Sequence, residues 1–114
     1  MNHEGVREVG KGFRAELDAL GFATEWVSMP PEMRRAGHLV ATPFATGGQK
    51  GERVLLIGHL DTVFEKHSSV TAWKPDGKRI TGQGVSDMKG GNVILIEVLR
   101  AMRRPTPSIR QRFR

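Results

Sequence analysis

The chain contains no cysteine, which excludes disulfides and any thiolate metal site. It has no run approaching 18 consecutive apolar residues, so it holds no hydrophobic helix long enough to cross a bilayer. Its opening stretch, MNHEGVREVGKGF, mixes charges of both signs and lacks an apolar centre. It does not read as a secretory signal peptide, and a cytoplasmic location is the expectation. Acids run out towards the far end: Glu97 is the only Asp or Glu after Asp87, and no histidine follows His67.

A basic excess of +6 raises the question of nucleic acid, and its distribution answers it. Residues 103–114, RRPTPSIRQRFR, carry five arginines and no acid. Without those five, thirteen basic residues face twelve acidic ones. A nucleic-acid binder needs a basic face on its fold, and here the excess sits in one short tail. No nucleic-acid partner is expected.

The rest of the composition is that of a globular protein, 38% hydrophobic and 26% charged. Its 114 residues suffice for one small domain and not for two. Val6, Val9, Phe13, Leu17 and Leu20 recur at spacings of three and four, which predicts a helix over 5–20 with Gly21 at its C-terminal cap. Residues 22–29 and 38–44 read as strands around a Pro-containing turn, with Trp26 a packing residue. A Gly-rich loop over 45–52 leads to a third strand, 53–58. The continuous run Val54-Leu55-Leu56-Ile57 predicts that this strand is covered on both faces by helices. Residues 62–78 are irregular, with a turn at Pro75-Asp76-Gly77 and Trp73 again a packing residue. Arg79-Ile80 reads as a short strand. After the glycine-rich TGQGVSDMKGG, a helix is expected over 92–102.

The chemistry lies in two stretches. The run 54–61 reads VLLIGHLD. Residues i and i+2 of a strand face the same side, so His59 and Asp61 converge if the strand reaches them. A neutral imidazole binds metals well, and a carboxylate on its other nitrogen fixes the tautomer. Alone, this pair is weak evidence and reads more readily as ordinary strand-end surface. The second stretch, GQGVSDMKGG over 82–91, surrounds Asp87 with glycines that let backbone approach a bulky or charged group. Two carboxylates and an imidazole from two loops suit a divalent ion such as Zn2+. A phosphate loop is the rival reading. It fails because GxGxxG would need glycine at position 87 and the GK[ST] ending is absent.

LLIGHLDTV followed at this distance by GQGVSDMKGG and an apolar helix resembles the N-terminal part of an M20-family zinc metallopeptidase. It is most similar to the glutamate carboxypeptidase and acetylornithine/succinyl-diaminopimelate deacylase branch. The resemblance spans roughly residues 5–102. It implies an α/β fold, the N-terminal part of a three-layer α/β/α catalytic domain, incomplete here. His59 then matches a zinc-binding histidine, Asp61 the aspartate that orients it, and Asp87 the aspartate that bridges two zinc ions. The peptide after that aspartate is often cis in the family, and Asp87–Met88 is expected to be cis if its loop is well packed. The substrate of the complete enzyme would be a small peptide or an N-acyl amino acid.

The family's general-base glutamate, the remaining acidic ligands and a second histidine all lie downstream of this second motif. Glu97, alone within the apolar helix, reads as a solvated position. His3, His38 and His67 receive no role, and Lys89 reads as a loop or helix N-terminal residue. The expected organisation is a partial catalytic domain over 1–102 and a basic Pro/Arg tail over 103–114, disordered or out of frame. The chain alone is expected to be inactive or nearly so. A non-catalytic remnant or small interaction module keeping the α/β scaffold is the alternative.

Overall fold

The structure is a computed structural model; it describes residues 2–43, 54–64, 67–70 and 72–103. The expected loop over 45–52 and the tail beyond residue 103 lie outside them.

Helix α1 spans His3–Ala19. Asn2 caps it, its side chain accepting from the Gly5 N–H at 2.9 Å, which satisfies one of the free donors of the first turn. At the other end Gly21 takes φ +73° and donates to the Asp18 carbonyl, so glycine stands where the left-handed cap requires it. Val6, Val9, Phe13 and Leu17 are half-buried and Leu20 is buried, the face that their spacing predicts.

That face rests on a hairpin. Strands β1 (Phe22–Val27) and β2 (His38–Pro43) pair antiparallel, from Phe22 opposite Pro43 to Val27 opposite His38. Phe22, Thr24 and Trp26 are the less exposed residues of β1, and Leu39 and Ala41 those of β2. Directly opposite residues share a face, so these five form the side turned to α1. Trp26 is the centre of the contact. Its indole N–H donates to the Ala36 carbonyl at 2.7 Å, the Arg7 guanidinium lies 5.1 Å from its ring centroid, and Gly10 of α1 lies against it.

Gly10 and Gly12 are one turn-half apart in the same helix and make opposite predictions. A Cβ on Gly10 would lie 2.5 Å from Trp26 Cζ3, whereas one on Gly12 would meet nothing within 4 Å. Gly12→Ala is expected to stabilise the chain by about 0.5–1 kcal/mol through helix propensity. Gly10→Ala is expected to lose about 1–3 kcal/mol to overpacking. Urea unfolding of the two variants checks the opposite signs.

Helix α2 spans Gly91–Arg103 and touches α1 through an ion pair between Arg100 and Glu16. It buries Asn92 and Ile96 and leaves Val93, Ile94, Val98 and Met102 exposed. Strands β3 (Lys74–Asp76) and β4 (Arg79–Thr81) form a small exposed hairpin that turns at Gly77, φ +54°.

The chain thus combines helices and strands as an incomplete α/β domain, with three corrections to the sequence expectations. The segment 54–58 joins no ladder among the described residues, and Val54, Leu55 and Ile57 are 80%, 81% and 77% exposed. A strand is held by its neighbours' backbone groups, and neither described hairpin supplies an edge to this one. Trp73 is exposed rather than packed. Pro75 and Asp76 lie in β3 rather than in the turn, which proline tolerates on an edge strand. Between 54–61, α2 and the face of α1 and its hairpin lies an open apolar cleft of about 730 Å3, lined by Phe13, Leu17, Leu39, Leu56, Leu95 and Leu99 among others, with His59 and Asp61 at its margin.

Candidate metal centre

Two stretches 28 residues apart meet at one histidine. His59 Nε2 lies 2.8 Å from Asp87 Oδ1. Its Nδ1 lies 3.2 Å from Asp61 Oδ1 and 3.1 Å from the Asp61 carbonyl oxygen. Two of the residues that the sequence singled out, Asp61 and Asp87, therefore each contact the third, His59. The i, i+2 relation of His59 and Asp61 holds although no ladder extends to them.

Asp87 is presented by a loop of unusual shape. Residues Val85–Gly90 form a wide helical turn broken at Asp87 (φ −115°, ψ 96°) and Met88 (φ −133°, ψ 39°), and the Asp87–Met88 peptide is cis. Gly84 opens the turn at φ +69°, and a Cβ there would lie 2.7 Å from Thr62 Cγ2. Glycine at 84 is thus needed twice, for its backbone angle and for the approach of the first stretch to the second. Lys89 closes the loop: its ammonium donates to the Gln83 carbonyl at 2.8 Å and its N–H to the Gly84 carbonyl at 2.9 Å. Its role is to hold the loop.

Asn92 is the contributor that sequence reasoning missed. It is buried at the start of α2, and its side-chain amide donates to the His59 carbonyl at 2.7 Å. The available signal was its position: Asn92, Ile96 and Leu99 share one helical stripe, and a polar residue on an inward stripe needs a partner. Glu97, by contrast, is exposed and paired with Arg100, as a solvated helix position would be.

The electrostatics follow from the geometry. If Nδ1–H donates to Asp61, neutral His59 turns a bare Nε2 lone pair towards the Asp87 carboxylate. Two acceptors 2.8 Å apart require a cation between them, a proton or a metal ion. With a proton there, the hydrogen bond to Asp87 holds the His59 pKa above its ordinary 6.5; desolvation opposes this and the contacts with Asp61 add to it. The interaction favours the folded state below the unfolded value of 6.5 and fades as pH rises through the higher folded value. Asp87→Asn is expected to return the His59 pKa towards 6.5, read by NMR titration of the ring; an unchanged midpoint would contradict the assignment of cause.

For a metal ion the donor chemistry fits, an imidazole nitrogen and a carboxylate with a second carboxylate behind the ring. The spacing is that of a hydrogen bond, shorter by roughly half an ångström than ligands about 2.0–2.1 Å from a tetrahedral zinc keep. Among the described residues no group of three or more His, Cys, Asp or Glu side chains is placed to hold a metal. His59 Nε2 and the Asp87 carboxylate would supply two ligands at most, with Asp61 behind the ring.

Comparison with known proteins identifies the frame in which this geometry belongs. The model of peptidase family M20/M25/M40 matches residues 55–112, from the first stretch through Asp87 and α2 and into the basic segment. The chain belongs to this family. It is also 30% identical over 103 residues to carboxypeptidase G2 of Pseudomonas sp. (strain RS-16), an alignment that takes in 88% of this chain and 23% of that protein. The M20 chain thus spans about a quarter of the length of the curated relative it matches. No solved structure matches it. Among the described residues no helix is long and apolar enough to cross a membrane.

Proposed function

We propose that this chain carries the first part of the metal site of a zinc-dependent M20-type hydrolase, a carboxypeptidase or N-acyl-amino-acid deacylase. The observation that carries this reading is the convergence of Asp61 and Asp87 on the two nitrogens of His59. His59 Nε2 and the Asp87 carboxylate would hold the ion, and the exposed second oxygen of Asp87 would be available to a further cation. Bound zinc supplies Lewis acidity and a water acidic enough to attack an amide carbonyl near neutral pH.

The chain's own residues do the preparatory work. Asp61 accepts from Nδ1–H, which fixes the ring orientation and leaves Nε2 free to donate its lone pair. Asp87, 79% exposed, keeps its second carboxylate oxygen open to solvent and to a further ligand. Among the described residues none is placed as general base: Glu97 is engaged by Arg100 on the solvent side of α2. Base catalysis supplies on the order of 10²–10⁴-fold in rate, so the isolated chain is inactive or nearly so towards the small peptides or N-acyl amino acids that the whole site would cleave.

The scarcity of ligands among the described residues favours a second reading, a non-catalytic remnant that keeps the scaffold. Zinc titration of the full chain separates the two. One zinc per chain, released by a chelator, supports the metal-site reading; a folded chain with no zinc affinity supports the remnant.

A further inference from the structure

The His59–Asp87 contact depends on more than its two members. His59 lies on a segment that joins no strand among the described residues, while Asp87 lies on a loop tied directly to α2. What links the segment to the helix is the Asn92 side chain. Its amide donates to the His59 carbonyl at 2.7 Å, and its residue is only 6% exposed. On the near side of the same amide is Gly58, where a Cβ would collide with Asn92 Oδ1 and lie 3.3 Å from Met88 Cε. Gly58 carries no side chain at the one place where the segment passes over the amide.

We propose that Asn92 is a positioning residue that, through its amide clamp on the His59 carbonyl and with Gly58 leaving it room, sets the distance and angle between His59 Nε2 and Asp87. The consequence for metal affinity rests on the reading of these two residues as ligands; the geometric role does not. Asn92 is the only buried polar residue among those described. It sits five residues after Asp87 on the element that follows Asp87's loop. Holding the His59 backbone to that element makes one rigid unit of two stretches that are distant in sequence. A side chain that merely filled space on this stripe would be apolar, as Ile96 is.

The test is the ring-nitrogen NMR signature of His59 in the metal-free full chain at one fixed pH, with His3, His38 and His67 as internal references. Asn92→Asp keeps the shape and removes the N–H donor. Gly58→Ala leaves Asn92 in place and displaces its amide. Gly12→Ala, in open space on α1, is the control. In the parent, the His59 ring signals should be distinct from those of the other histidines. In both Asn92→Asp and Gly58→Ala they should move towards those of the others, which stay put, and Co2+ affinity should fall at least about 10-fold; Gly12→Ala should change neither. A purely structural role would move all four histidines together or none. Unchanged His59 signals in either folded variant overturn the proposal, as does a parent His59 indistinguishable from the reference histidines. Should one variant unfold, the other decides. If the ring signals behave as stated but the parent takes up no Co2+, the positioning role stands and the metal-site reading falls.

Discussion

Replacing His59 by alanine is expected to remove metal binding from this chain altogether, and replacing Asp61 by asparagine to weaken it by roughly 10–100-fold. The two effects differ because the residues act at different removes. Among the described residues His59 supplies the one imidazole at the site, and without it the Asp87 carboxylate would be a single exposed oxygen donor competing with water. Asp61 touches the far side of the ring. Its loss leaves the ligand in place but frees the tautomer, so that Nε2 carries a proton part of the time and must lose it before it can bind. Under the metal-site reading, binding should also weaken as pH falls through the raised His59 pKa, because an ion bound at Nε2 would have to displace the proton held there. Competition with a chromophoric zinc chelator measures all three effects on the same samples. A His59→Ala chain that binds zinc as well as its parent would put the metal elsewhere, with His3, His38 and His67 the histidines to examine by substitution.

The local parts of this molecule are written in its sequence because their causes are local. The 3–4 spacing from Val6 to Leu20 and Gly21 after it define α1, and the prolines at 30 and 31 end the stretch that forms β1. The two motifs with His59, Asp61 and Asp87 are likewise local, and their meeting followed from the resemblance to the M20 family. The structure places the three side chains in contact without assigning their roles. What sequence alone did not reveal depends on distant partners. An apolar run such as Val54–Ile57 states that burial is needed but not what provides it, and no described strand does. Pro75 reads as a turn residue until Ile80 is found opposite it. Asn92 reads as a helix-start residue until the His59 carbonyl is found within reach of its amide.

The exposed run should make the isolated chain self-associate, and a Leu55→Lys, Ile57→Lys double substitution should move it towards monomer without loss of helix. Complete burial of a Val, Leu or Ile side chain is worth about 1.5–3 kcal/mol. Four such residues, three of them more than three-quarters exposed, leave roughly 4–9 kcal/mol unrealised. That is comparable with the whole net stability of an ordinary domain, about 5–15 kcal/mol. Only Leu20, Ala36 and Ile96 form the buried apolar core among the described residues, so little among those residues compensates. The second exposed apolar strip, Val93, Ile94, Val98 and Met102 on α2, adds to the same demand. A segment that joins no ladder among the described residues, beside an open apolar cleft, offers both backbone groups and side chains, which is the combination that recruits another copy. Sedimentation velocity across a concentration series reads the association, and far-UV circular dichroism confirms that the helices persist in the double variant. If parent and variant both sediment as monomers at the highest concentration, the run is covered in solution by some other part of the chain, and the metal-binding measurements above would then report on a more closed molecule than this one.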